Sequence, residues 1–179
     1  MLARAESGRP LAPDFRPVNL GAVIEELVDE WVRAADRKAI DLGVDRGEAW
    51  TLGDPFMLRE LAANLIDNAI SYTQPGGRVT ARCGASKGAV VLEVEDNGPG
   101  IPAAERSRVL ERFHRVPGSA GSGSGLGLAI ANDIVRAHSG TLTLGGPPGH
   151  PGTIVRAEFR ETALRPAATA PLRPVAAVG

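Results

Sequence analysis

Cysteine, lysine and aromatic side chains are scarce in this chain of 179 residues. Cys83 is the only cysteine, which excludes an internal disulfide and points to a reducing compartment. Lys38 and Lys87 are the only lysines, a compositional bias toward arginine. Lys+Arg number 20 against 21 Asp+Glu, a formal net charge of −1. That balance offers no basic excess for a nucleic-acid backbone and no single-signed field for a membrane surface. No apolar run is long enough to span a bilayer. Residues 1–10 carry Arg4 and Arg9 without the apolar stretch of a signal peptide. The expectation is a soluble, cytoplasmic piece with no nucleic-acid partner and no membrane contact of its own. A longer parent carrying membrane spans is compatible with it. The length fits one domain plus a tail.

Residues 1–18, with Gly8, Pro10, Pro13 and Pro17, read as an extended connector. Asn19 caps an amphipathic helix over 20–36, with Val23, Ile24, Leu27, Val28 and Trp31 at helical spacing. Residues 40–44 and 49–52 are expected to be short strands around a turn at 45–47. Asp54-Pro55 is an N-cap followed by proline at the first helical position, opening a helix to Tyr72. Residues 78–83 alternate, with Val79, Ala81 and Cys83 inward, and 89–95 form the next strand. Cys83 is therefore a small core residue rather than a nucleophile. Residues 98–125 are irregular apart from a short helix near 103–113, too long for an ordinary loop. A helix over 126–138 buries Leu126, Ala129, Ile130, Ile134 and Val135, and strands at 141–144 and 153–159 close the unit. From residue 162 the chain turns to Ala and Pro, a flexible tail.

Three features carry chemistry. Glu60, Asn64, Asn68 and Tyr72 recur every four residues and share a broad helix face. Asparagine is a poor mid-helix residue, so two on one face ask for a reason. A carboxamide oxygen suits Mg²⁺ that already holds triphosphate oxygens, because Mg²⁺ takes few ligands from protein. Asp96-Asn97-Gly98-Pro99-Gly100 ends a strand with an acceptor-only carboxylate. Such a group accepts from the exocyclic amine of adenine and repels the carbonyl oxygen of guanine. Gly123-Ser124-Gly125-Leu126-Gly127-Leu128 runs into a helix whose first N–H groups make an anion site. Taken singly, these fit a solvated polar face, a surface turn and a flexible linker. Their conjunction, in this order, points to a nucleotide site.

At this point the chain resembles the catalytic and ATP-binding domain of bacterial sensor histidine kinases, a group related to gyrase and a large heat-shock chaperone. The stretch Arg59-Glu60-Leu61-Ala62-Ala63-Asn64-Leu65-Ile66-Asp67-Asn68-Ala69-Ile70-Ser71-Tyr72 is similar to the family's N box. Asp96 to Gly100 resembles the first glycine box, and Glu111-Arg112-Phe113-His114-Arg115 resembles the F box of a lid. Gly123 to Leu128 resembles the second glycine box, and Gly152-Thr153 lies where a weaker third one belongs. The resemblance covers residues 18–160.

It implies a two-layer α/β sandwich of the Bergerat type, a mixed sheet packed on three main helices with a mobile ATP lid. It further implies that Asn68, with Asn64, holds Mg²⁺, that Asp96 binds the adenine amine and that Tyr72 lines base or ribose. Gly98 and Gly100 shape the base pocket. Gly123, Ser124, Gly125, Leu126 and Gly127 wrap the phosphates, and Phe113 anchors the lid. The implied activity is transfer of the γ-phosphoryl group of Mg-ATP to a histidine on a separate dimerisation hairpin of the same kinase. A response regulator is the next partner. On this reading 1–18 is the linker from that hairpin, 19–161 the catalytic domain and 162–179 the tail. The isolated domain is expected to be monomeric, and its parent anchored in the inner or plasma membrane.

Two departures stand out. Ser71 occupies the place of a usual lysine near the phosphates, leaving charge neutralisation to other groups, with Arg112 and Arg115 as candidates. The loop 145–152 is proline-rich around a poor third box. His114, His138 and His150 lie outside any acceptor motif and read as surface or capping residues. An anti-sigma-type protein-serine kinase and a non-catalytic nucleotide-binding or docking module are the alternatives.

Overall fold

In a computed structural model the chain is described over residues 14–117 and 125–165. The start of the expected linker, Gly123, Ser124 and the tail from residue 166 lie outside the described residues.

The two longest helices start at the caps read in the sequence. Helix α1 (Leu20–Asp36) begins at Asn19, whose Oδ1 accepts from the N–H of Gly21 at 3.0 Å and of Ala49 at 3.1 Å. Helix α2 (Pro55–Tyr72) begins at Asp54, whose Oδ1 accepts from Phe56 N–H at 2.9 Å and Met57 N–H at 3.1 Å. Helix α3 (Gly127–Ala137) starts after Leu126 with no side-chain cap. Trp31, Leu58, Leu61, Leu65 and Ile66 are fully buried between these helices and the sheet.

Strands β2 (Asp41–Arg46), β4 (Arg78–Ser86), β5 (Ala89–Asp96), β6 (Thr141–Gly145) and β7 (Thr153–Arg160) form one mixed sheet in the order β2-β4-β5-β7-β6. Among the described residues only β2 and β4 pair in parallel. A separate antiparallel pair joins β1 (Arg16–Asn19) to β3 (Trp50–Gly53). The architecture is the expected α/β one, a mixed sheet under three α-helices.

Residues 16–18, read as connector, form a strand together with the Asn19 cap, and the segments at 40–44 and 49–52 do not pair with each other. The short turn between them suggested neighbours; instead β2 feeds the parallel edge of the large sheet and β3 the small one. The helix expected near 103–113 is two short 3₁₀ turns, Ala103–Glu105 and Arg108–Leu110. On α3 the buried residues are Leu128, Ala129, Ala131, Ile134 and Val135, whereas Leu126 is half-buried and Ile130 is 37% exposed. Ile130 lies about 200° around the helix from Leu128, so a stripe centred on Leu128, Ala131 and Val135 turns it outward.

Sheet register positions the site. On β5 the inward residues are Val90, Leu92 and Val94, and the next inward place falls to Asp96. Asp96 stands opposite Val79 on β4 and Thr153 on β7. Strand alternation thus carries a carboxylate to the end of the apolar face that the helices cover. The opposite face is polar: Arg82 bridges Glu93 at 3.3 Å and Glu95 at 2.7 Å, and Arg156 bridges Glu93 and Glu158 at 3.4 Å.

Candidate functional site

A cleft of about 710 Å³ opens between α2, the end of β5, the segment 97–117 and the start of α3. Asn64, Asn68, Tyr72, Asp96, Gly100, Arg115, Gly125 and Gly127, residues nominated from sequence, line one space. Asp96 is 7% exposed. Its Oδ1 accepts from Gly98 N–H at 2.9 Å and Thr153 N–H at 3.3 Å. Burial pushes the carboxyl above the ordinary carboxylate range, and the Gly98 and Thr153 hydrogen bonds partly offset that rise. A buried acceptor held by two backbone donors cannot swing away from whatever enters the cleft.

The backbone around it is tight. A Cβ on Gly100, at φ +79, would lie 2.8 Å from the Gly152 carbonyl oxygen. One on Gly152, at φ +148, would lie 2.0 Å from the carbonyl oxygen of Asp96. These two glycines let the first and third glycine segments cross in contact. The third box, weak as a motif, therefore matters: it brings Thr153 to Asp96. Gly98 sits beneath the carboxylate rather than on the cleft wall.

On α2, Asn64 returns its side-chain amide to the Glu60 carbonyl at 2.8 Å. Its Oδ1 thereby faces the first residue of α3, with an added Cβ on Gly127 falling 3.5 Å away. Asn68 lines the cleft one turn further on. Asp67, between them in sequence, also lines it, and its carboxyl is raised by burial, then by Glu30 and Glu60. Among the described residues no cluster of three or more His, Cys, Asp or Glu could cage a metal. A cation here would use one or two protein oxygens and draw the rest from ligand and water, the manner suited to Mg²⁺.

The segment over the cleft differs from expectation at its aromatic residue. Phe113 is 73% exposed, has φ +65 and is absent from the cleft wall. Val109, 7% exposed, takes the buried position, on a 3₁₀ turn packed against α3. The left-handed backbone at Phe113 turns its ring outward, and the smaller β-branched side chain fills the space. Phe113 N–H still donates to the Gly125 carbonyl at 3.1 Å. Arg112 pairs with Asp133 of α3 at 2.9 Å and does not line the cleft, nor does Leu126. His114 lines it and contacts Glu105 at 2.7 Å, which holds the Glu105 carboxyl below its ordinary range.

Sequence reasoning missed Lys38, Asp67, Ile101, Val109 and Thr153 as wall residues. It read His138 as a surface or capping residue; His138 is the C-cap of α3, and it is buried rather than at the surface. This residue is 8% exposed, accepts from Asp54 N–H through Nε2 at 3.0 Å and stacks on Phe15 with ring centroids 4.7 Å apart. Because Nε2 accepts, Nδ1 carries the hydrogen and donates to the Ile134 carbonyl at 2.8 Å. His138 thus joins α3 to the α2 cap, a structural role that only the tertiary fold reveals.

A family model described as histidine kinase-, DNA gyrase B-, and HSP90-like ATPase matches residues 53–163, a span holding α2, Asp96, the segment above the cleft and α3. The chain belongs to this family. It is 39% identical over 146 residues to the sensor protein kinase PmrB of Pseudomonas aeruginosa, covering 81% of this chain and 30% of PmrB. It spans about a third of the length of the curated sensor kinases it matches. A solved structure of the mycobacterial sensor histidine kinase MprB superposes with a TM-score of 0.71 at 34% identity, covering 82% of this chain and 97% of that one. Full-length ShkA in complex with AMPPNP superposes with a TM-score of 0.73 at 28% identity, covering 93% of this chain and 35% of ShkA.

Proposed function

We propose that this chain binds Mg-ATP in the cleft and presents its γ-phosphoryl group to a histidine on a separate dimerisation hairpin. On this reading it is the catalytic domain, 19–161, of a two-component sensor kinase. The observation that carries it is Asp96: a buried carboxylate, fixed by Gly98 and Thr153, in a cleft that the uncapped start of α3 also lines. Asp96 accepts from the adenine amine and confronts the carbonyl oxygen of guanine with a like acceptor. Tyr72 lines the base and ribose. The first N–H groups of α3 and the glycines before it serve the phosphates.

Asn64 and Asn68 supply the oxygens for Mg²⁺, whose chemistry is to neutralise charge on the phosphate oxygens. Phosphoryl transfer asks mainly for positioning and electrostatic stabilisation, and these residues provide orientation. The AMPPNP complex of the ShkA relative supports nucleotide as the occupant. The sensor-kinase relatives support an acceptor hairpin and a response regulator beyond it as partners; a membrane-anchored parent is part of the same proposal. No helix among the described residues is long and apolar enough to cross a membrane.

Calorimetric titration of Mg-ATP into the chain and into Asp96→Asn tests the assignment. Asparagine keeps an oxygen for Gly98 and Thr153 but can turn an amide toward the adenine amine, so affinity should fall at least tenfold, the worth of a charged hydrogen bond. Equal affinity in the two proteins would remove Asp96 from base recognition.

A further inference from the structure

Lys38 holds a place that composition gave no reason to expect. It follows α1 in a turn set by Ala39, a non-glycine residue at φ +53. That turn is tied to the end of α2 and the start of β4: Gly76 N–H donates to the Ala39 carbonyl at 2.9 Å, and Asp41 N–H to the Gly77 carbonyl at 2.9 Å. The side chain runs to the last turn of α2, where Nζ donates to the carbonyls of Ile70 at 2.8 Å and Ser71 at 2.5 Å. Helix α2 has no basic residue of its own in that turn. Lys38 therefore offsets the negative end of the helix from outside it.

The same lysine lines the cleft, beside Ser71, Tyr72 and Gln74. Those residues form the wall one turn beyond Asn68. Ser71 brings no charge to it, and Asp67 and Asp96 line the same cleft as acids. A polyphosphate entering this space needs cations; Arg115 also lines it, whereas Arg112 is engaged with Asp133 outside it.

We propose that Lys38 is a nucleotide-binding residue, its ammonium serving the 5′-phosphate nearest the ribose of the bound nucleotide. An ammonium has three donors. Two go to the α2 carbonyls and fix the group; the third serves the ligand. The charge missing at position 71 is thus delivered from 33 residues away in sequence. This inference rests on the nucleotide reading of the cleft.

The test compares Mg-ADP with adenosine on the full chain by calorimetry, in the parent, Lys38→Gln and Lys38→Gln/Ser71→Lys. Glutamine retains a donor for the helix carbonyls without the charge. The expected result is about tenfold weaker Mg-ADP binding in Lys38→Gln, adenosine affinity within about twofold of the parent, and recovery of Mg-ADP binding in the double variant. Parallel losses for both ligands with a lowered melting temperature would make Lys38 a helix cap only and overturn the proposal. Unchanged Mg-ADP affinity would overturn it too. A parent that binds neither ligand would instead refute the nucleotide reading, and this inference with it.

Discussion

Asp96 is placed by two rules of different reach. The alternation Val90, Leu92, Val94 can be counted along the strand, and it marks the next inward position as a carboxylate. Its partner Thr153 cannot be found that way, because the pairing of β5 with β7 spans the whole cleft segment and α3. Lys38 was illegible for the same reason: its neighbours at the end of α2 are a product of packing, and nothing local marks it. The state of the Asp96 carboxyl follows from burial and has a testable sign. Its folded value is raised, so ionising it opposes folding at neutral pH, and that cost is relieved as pH falls through the raised value. Asp96→Asn should therefore melt no lower than the parent at pH 7 while losing ligand. Binding of the adenine amine needs the ionised form, so adenosine affinity should decline with acid at a pH above the ordinary carboxylate range. Titration across pH 4–8, with no ligand phosphate to ionise, reads this directly. An affinity flat over that range would contradict the role.

Helix boundaries were the most legible elements, since Asn19 and Asp54-Pro55 signal their helices by chemistry confined to a few residues. Asp54 does more than its sequence shows. Besides capping α2, its Oδ2 accepts from Asp14 N–H at 2.9 Å, and its own N–H donates to His138. Hydrogen bonds from Met57 and Asp14 hold its carboxyl below the ordinary range. A lowered value stabilises the fold above the unfolded pKa, and the benefit fades as pH falls through the folded one. Asp54→Ala should cost roughly 1 kcal/mol at pH 7 by urea unfolding, and the gap from the parent should narrow in strong acid.

The segment over the cleft was the least legible element. Phe113 is the conspicuous residue in sequence, but a positive φ, which no local rule for phenylalanine anticipates, turns it out and leaves Val109 to pack. Val109→Ala should accelerate proteolytic cleavage within residues 97–117, because it loosens the only residue of the two 3₁₀ turns that is buried. Phe113→Ala should leave that rate near the parent's. The reverse order would restore the aromatic residue as the anchor.

At the scale of the whole molecule, the layers were legible because strand alternation and helical periodicity each predict a covered face. The strand order was not, since β2 and β3 adjoin in sequence yet enter different sheets. The exposed large apolar residues Phe56 and Phe113, 71% and 73% exposed, lie on different elements, at the start of α2 and in the cleft segment. The chain should run as a monomer in size-exclusion chromatography. Supplied with a separate histidine-bearing hairpin and Mg-ATP, it should yield a phosphorylated hairpin whose label is lost in acid. An acid-stable label would indicate hydroxyl chemistry and favour the serine-kinase alternative.

The two ends of the cleft are built to different standards of permanence. The Asp96 end is anchored in the sheet, where Asp96 pairs with Thr153 across β5 and β7 and Gly100 packs against Gly152 just beyond the strand ends. The other end is roofed by residues held through an exposed Arg112–Asp133 pair, a Glu105–His114 contact and one valine. On the proposed nucleotide reading, selectivity among bases would be an equilibrium property of the β-scaffold, and residence time would belong to the roof. An inhibitor that competes for this cleft would earn its discrimination at Asp96 and its slow departure from whatever it adds beneath Val109.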